Sequence, residues 1–480
     1  MSASLILAID IGTSSCRTAL FDLSAHRIAD TTAQQTYPLI TSGEGAAEIE
    51  PAVLLRAVRR CLAETMAAAR GRKIAGIGTS CFWHSFIGTD ARGKPVTHVI
   101  TWADSRCRPD AAKLRATFSE RQIQARTGCM LRASYWPAKL LWLRRTQPRV
   151  FARVKRWMSP AEWLQLTISG APNCAPGMAT GTGLFDPSKL AWDCALLAHC
   201  GIRAAQMFPL SSEPTPVRGL LAREFPALAG VPWFPAIGDG AASNLGSGAT
   251  QPGLAAINVG TSAALRVMRS GRTARAPFGL FCYRVDAERF VVGGAVSDAG
   301  NLRAWCLREL RLPDEAAIES ALAARSGPVP GLTVLPFWTH DRAPTWNENA
   351  VGVIHGMSQN TTALDLLQAI TEASYQRIAR IGEMVVAVEP RPPKFIVSGG
   401  IQHSPAALQR LADVLGQPVY PNDEMEASIR GAAIFALEKL GLPAPALVLP
   451  KPVKPRARYA KLYAEARERQ RTLEGLPAVS

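Results

Sequence analysis

Two stretches of this chain carry the same chemistry-bearing pattern. Residues 7–22 read LAIDIGTSSCRTALFD and residues 254–268 read LAAINVGTSAALRVM. In each, an apolar strand carries an acid or an amide near its end, a Gly-Thr-Ser bend follows, and a second strand leaves. Glycine at such a bend lets backbone N–H groups and short hydroxyls close around a phosphate. Either copy alone is ordinary hairpin chemistry. The pair sets Asp10/Asn258, Gly12/Gly260, Thr13/Thr261 and Ser14/Ser262 at one offset of 248 residues, which predicts two hairpins gripping one polyphosphate. The Asp/Asn difference fits that reading. ATP arrives with Mg²⁺, a hard cation that takes carboxylate and water oxygens. One acid near the metal is useful, whereas a second acid facing the phosphates would repel them and an amide still donates.

Further candidates lie between and beyond the hairpins. In WFPAIGDGAASNLG a strand ends at Gly238, which puts Asp239 at a helix start. An aspartate there is an ordinary N-cap, but the carboxyl end of a strand is also where an α/β enzyme displays a general base. Residues 78–107 concentrate Trp83, His84, Trp102, Asp104 and Arg106 between apolar strands. These can line a polyol pocket by stacking and hydrogen bonding. For Trp102 to Arg106 a salt-bridged corner is an equal reading. The run KFIVSGGIQHSPAALQRL, from Lys394, joins a strand to an amphipathic helix through a Gly-Gly turn, where a base or ribose can approach the backbone.

The elements that must position these residues alternate between strand-like and helix-like runs, which predicts an α/β architecture. Strands are expected at 5–9, 74–79, 254–259, 290–293 and 394–398, and helices over 51–69, 312–325, 363–388 and 404–415. At 480 residues the chain exceeds one ordinary core. The glycine-dense run 238–253 reads as a turn region and gives the boundary of two domains, 1–247 and 248–480. The hydrophobic fraction of 48% and charged fraction of 19% are those of a globular protein. No apolar run is long enough to span a membrane, and the start reads as a first strand rather than a signal peptide. Ten scattered cysteines without a Cys-x-x-Cys pair point to reduced thiols in a cytoplasmic setting. The seven histidines form no His-x-x-x-His ligand pair.

The net charge of +16 suits anionic small molecules, and no nucleic-acid-binding motif accompanies it. The tail from Lys451 to Glu474 holds eight Lys/Arg against three Asp/Glu, with Tyr459 and Tyr463 one turn apart. It reads as a solvated terminal helix packed by its tyrosines.

Together these motifs resemble the FGGY carbohydrate kinase family of the hexokinase–actin ATPase superfamily. The likeness runs through DIGTSSCR, EIEP, WHS with TWADSR, TGC with PAKLLWL, ATGTGLFD, GDGAASNLG, INVGTSA, GGAVSDAGN, VSGGIQHS and EASIRGAA, in order along nearly the whole chain. It implies two actin-like, ribonuclease-H-like domains with ATP and sugar in the cleft between them, and a homodimer is compatible with it. By matching position, Asp239 resembles the base that accepts the sugar hydroxyl proton, and Asp10 the carboxylate on the Mg²⁺ side. Thr13, Ser14, Arg17, Gly260 and Thr261 resemble phosphate grips, and Gly300, Gly400 and Ser404 nucleotide-side positions. Trp83, His84 and Tyr135 fall where the family meets its sugar. The sugar-side stretches look most like gluconate kinases, with xylulose kinases next. Trp83 and Val351 depart from the family pattern, and Arg106 and Arg132 are candidates for meeting a substrate carboxylate.

Overall fold

The computed structural model describes residues 4–172, 174–422, 424 and 426–475. They divide into two compact units, each assembled from three stretches of chain. The first comprises Met1–Gly248, Arg269–Val291 and Glu426–Leu447; the second comprises Ala249–Met268, Val292–Met425 and Val448–Ser480.

In the first unit the strand Leu5–Ile11, buried along its whole length, pairs antiparallel with Ser15–Phe21 and parallel with Ile74–Cys81. Its hydrophobic run is what a strand covered on both faces requires. Ile237–Gly238 adds to the far side of Ile74–Cys81, also parallel. The helix Pro51–Ala68 covers one face. Its buried Leu54, Val58, Cys61, Leu62 and Thr65 recur at three- and four-residue spacing, a single apolar stripe. Proline at its first position loses no hydrogen bond there. A separate tryptophan-rich core gathers Phe86, Trp136, Trp142 and Trp157.

The helix expected to start at Asp239 spans Asp239–Ser247, inside the run read as a turn region, and the reason lies in its glycines. This helix packs on Ala427–Lys439 backbone to backbone. A Cβ on Gly246 would lie 1.8 Å from the Ala427 carbonyl oxygen, and one on Gly431 1.8 Å from that of Ala242. Across from them, a Cβ on Gly78 would lie 2.0 Å from the Ala432 oxygen. Small residues here set a contact that larger ones would prevent.

The second unit repeats the plan. Leu254–Val259 pairs antiparallel with Ala263–Ser270 and parallel with Lys394–Ser398, which pairs parallel with Val419–Pro421. The helices Ala363–Val386 and Pro405–Leu415 pack on each other. The basic tail forms the helix Ala460–Gly475 and is anchored rather than loose. Tyr463 is buried and donates to Glu372, Arg467 and Arg471 pair with Glu383, and Glu474 takes Arg377 and Arg380. Among the described residues no helix is long and apolar enough to cross a membrane.

Candidate active site

Three parallel strands of the first unit end side by side. In register, Ile11 and Gly238 both face Cys81, so Gly12, Phe82–His84 and Asp239 leave the sheet at one carboxyl edge. That edge is where open α/β sheets bind ligands. Asp239 opens its helix half-buried, and its Oδ1 accepts the Gly240 N–H at 2.7 Å. The first hairpin loop is held by Tyr37, whose hydroxyl donates to the Gly12 carbonyl and whose N–H donates to that of Ser14 at 3.0 Å. Thr13 Oγ1 accepts the Trp102 indole N–H at 2.9 Å, while Ser14 is exposed.

Asp10 faces Arg17 across the hairpin and Ser80 across the parallel pair. Arg17 Nη1 lies 3.9 Å from its carboxylate and 3.4 Å from that of Glu426. The Arg17 Nε–H is buried without a hydrogen-bond partner among the described residues, a donor left over for an anion. Burial pushes the Asp10 carboxyl up to about 6, the negative charges of Asp239 and Glu426 add to this, and Ser80 and Arg17 oppose it. A carboxyl raised from 3.8 holds its proton more tightly folded than unfolded, so its contribution to stability is lost as pH rises through about 4 to 6. Asp10→Asn is therefore expected to melt higher than the wild type at pH 7.5 in the ligand-free state, and with less change between pH 4.5 and 7.5. Thermal melts at both pH values check this; identical pH dependence in the two proteins would refute it.

The sugar-side candidates converge in an aromatic cluster. The His84 ring centroid lies 4.8 Å from that of Tyr135 and 5.4 Å from that of Tyr283, and Trp83 meets Tyr283 edge-on at 4.9 Å. The Tyr135 and Tyr283 hydroxyls are 2.6 Å apart. His84 sits at φ +64°, a conformation L residues seldom adopt. Its Nδ1 lies 2.5 Å from the Gly181 carbonyl. A carbonyl only accepts, so Nδ1 carries a proton. The Trp83 indole N–H donates to the Gly177 carbonyl at 2.8 Å. Asp104 and Arg106 form the corner instead of a pocket wall. Arg106 pairs with Asp104 and Glu48 and stacks over Trp142, and Asp104 accepts the Ala47 N–H. Arg132 pairs with Glu120 at 2.7 Å.

The second unit presents its own loop. The Gly260 carbonyl accepts the Gly300 N–H at 2.9 Å, and the Thr261 carbonyl accepts the Ala299 and Asn301 N–H groups, both at 3.2 Å. A Cβ on Gly300 would lie 2.5 Å from the Gly260 oxygen, and one on Gly399 (φ +92°) 2.6 Å from that of Val259. Only bare backbone fits at either position. Thr261 and Gly400 are exposed. The Ser404 hydroxyl donates to Glu319 at 2.6 Å and accepts the Ala407 N–H at 3.0 Å as an N-cap. Asn258 donates to Ser398 Oγ at 3.1 Å, its partner across the parallel pair.

The fold's repeat thus extends beyond the hairpins. Residues 5–246 match the N-terminal domain, and residues 255–439 the C-terminal domain, of the FGGY family of carbohydrate kinases. The chain belongs to that family. As a carbohydrate kinase it is similar to the gluconokinase of Bacillus licheniformis, at 26% identity over 91% of this chain and 88% of that protein. In fold it is similar to the crystal structure of gluconate kinase from Lactobacillus acidophilus, with a TM-score of 0.90, 24% identity and 98% of each chain covered. It is also similar in fold to Plasmodium falciparum glycerol kinase with ADP, with a TM-score of 0.85, 18% identity and 99% of each chain covered.

Sequence reasoning passed over three neighbours of this candidate site. Glu426 shares Arg17 with Asp10, but its role depends on a helix that returns to the first unit late in the chain. Tyr283 reaches His84 from a strand with no chemical motif of its own. Lys139, in PAKLLWL, lies in the helix Trp136–Thr146, and its side chain is wholly buried.

Proposed function

We propose that this kinase transfers the γ-phosphoryl group of ATP to a hydroxyl of a sugar or sugar acid, with D-gluconate, phosphorylated at O6, as its acceptor. The observation that carries the chemistry is Asp239, half-buried at the carboxyl edge beside Asp10 and preceded directly by the glycine against which Trp83 packs. Gluconate is favoured by the similarity to a gluconokinase over most of both chains.

In this reading Asp239 accepts the proton of the attacking hydroxyl as its oxygen bonds to the γ-phosphorus and ADP leaves. Thr13, Ser14 and Arg17 are the phosphate grips of the first unit. In the second unit Gly260 and Thr261 are the corresponding residues, and Gly300, Gly400 and Ser404 its nucleotide-side positions. The orphaned Arg17 N–H fits such a ligand. Among the described residues no cluster of three or more His, Cys, Asp or Glu could hold a metal ion. A single carboxylate, Asp10, suits Mg²⁺ that comes with the nucleotide and keeps most of its waters, and the ion would neutralise phosphate charge there. Trp83, His84 and Tyr135 wall the sugar subsite.

A second reading, a neutral polyol or ketose such as xylulose or ribulose as acceptor, is favoured by one detail: Arg106 and Arg132 are both committed to protein carboxylates. A coupled ADP-release assay over gluconate, xylulose, ribulose and glycerol separates the two. The highest kcat/KM is expected with gluconate, with the product's phosphate on O6; a higher value with any neutral acceptor replaces gluconate with that compound.

A further inference from the structure

Lys139 is wholly buried, and no carboxylate pairs with it among the described residues. Its Nζ donates to two backbone carbonyls, that of His84 at 3.0 Å and that of Ser134 at 2.7 Å. Taking an ammonium out of water is costly, and the return here is two carbonyl hydrogen bonds and the charge of Asp104 nearby. A fold that retains such a group has a use for the geometry it imposes.

The two carbonyls are informative. One belongs to His84, the residue in the left-handed conformation. The other belongs to the peptide that leads into Tyr135, the residue preceding the helix Trp136–Thr146. That helix also carries Lys139, so one short lever spans two separate stretches of chain. Its ammonium joins His84 to Ser134, the residue before Tyr135, where the His84 and Tyr135 rings meet at 4.8 Å. On the other side of His84, the Gly181 carbonyl fixes Nδ1. His84 is therefore held at two points, one by its ring and one by its backbone. Strained backbone of this kind persists where its surroundings over-determine it.

We propose that Lys139 is a positioning residue for sugar recognition: its ammonium clamps the His84 and Ser134 carbonyls and thereby holds His84 and Tyr135 in the arrangement that receives the acceptor. The proposal rests on the reading of His84 and Tyr135 as sugar-side groups. It concerns the sugar side, because the Lys139 hydrogen bonds given among the described residues go to His84 and Ser134.

The test is steady-state kinetics on Lys139→Met and Lys139→Gln in the full chain, with the best acceptor from the panel above. Lys139→Met keeps the length and removes every donor. It is expected to raise the KM for the acceptor by about 10- to 100-fold while leaving the KM for ATP within about threefold. Lys139→Gln keeps one donating group and is expected to recover part of the loss. A merely structural lysine would give a different pattern, in which active fraction and melting temperature fall together and both KM values stay at wild type; that outcome overturns the proposal. So does an unchanged acceptor KM in both variants. Should Lys139→Met fail to fold, the acceptor-to-ATP KM split in Lys139→Gln decides by the same criterion. His84→Ala separates the two readings. A wild-type acceptor KM in that variant removes the sugar-side assignment itself. A raised KM there, with Lys139 variants unaffected, removes only the clamp.

Discussion

Asp239→Asn is expected to lower kcat by about 10²- to 10⁴-fold while ATP-analogue affinity stays within about threefold of wild type. The substitution is close to isosteric. An asparagine Oδ1 still accepts the Gly240 N–H, so the side chain keeps its orientation at the start of the Asp239–Ser247 helix. What it loses is the capacity to take a proton from the attacking hydroxyl. The electrostatics move in a direction that guards against a trivial explanation. The charge of Asp239 helps hold the Asp10 carboxyl up near 6, so its removal lets Asp10 ionise at lower pH. The variant should therefore hold the Mg²⁺–nucleotide at least as well as the wild type at pH 6, and fail in turnover. Rapid-quench kinetics with equilibrium titration of a non-hydrolysable analogue gives both quantities. Turnover within tenfold of wild type would remove Asp239 as the base; equal loss of binding and turnover would make it a nucleotide ligand instead.

The repeat was legible in the sequence because its chemistry is local. A strand, a glycine bend and a strand are set by adjacent residues, and both hairpins form with the expected partners. The structure adds the cause of the Asp10/Asn258 difference that spacing could not supply. Each residue is in register with a serine on the neighbouring parallel strand, Ser80 in one unit and Ser398 in the other. Asn258 spends its amide N–H on Ser398. Asp10 has no proton to spend when ionised and instead takes its place in a group of three carboxylates with one arginine. The same position thus braces the sheet in one unit and charges it in the other. Long helices were equally legible, since amphipathic periodicity is local: Ala363–Val386 and Pro405–Leu415 begin and end near where their patterns do.

Features built from distant pieces of chain were not legible. The glycines of 238–253 look like turn formers until the partner helix Ala427–Lys439 is known, because only its backbone explains why a side chain is excluded. Ser404 looks available to a ligand until Glu319 arrives from another helix to take its hydroxyl. Arg106 and Arg132 look like carboxylate receptors until Glu48, Asp104 and Glu120 are placed beside them. In each case the residue type was read correctly and its competitor was out of sight.

The second large effect is expected at Gly238, which touches no substrate in the proposed reaction. A Cβ there would lie 1.7 Å from Trp83 Cε2, far inside any tolerable contact. Strain in the backbone is not the cause, since Gly238 at φ −69° and ψ 146° occupies a region open to alanine. The obstacle is the indole, and the indole cannot retreat. Its N–H is tied to the Gly177 carbonyl, and its other side packs on Gly181, where a Cβ would lie 2.4 Å from Trp83 Cδ1. Gly238→Ala must therefore displace either Trp83 or the strand that carries Asp239. Misplacing a base by about 1 Å costs on the order of 10²-fold in rate, and overpacking a filled core costs about 1–3 kcal/mol in stability. The expected result is a loss of about 10²-fold or more in kcat/KM, with a lowered melting temperature. Trp83→Met supplies the control, because a slimmer, flexible side chain vacates the space. In the double variant Gly238→Ala should cost less than about tenfold relative to Trp83→Met alone, a coupling that independent sites do not show. Additive losses would mean that Gly238 acts on Asp239 without Trp83, and that the indole does not set the base.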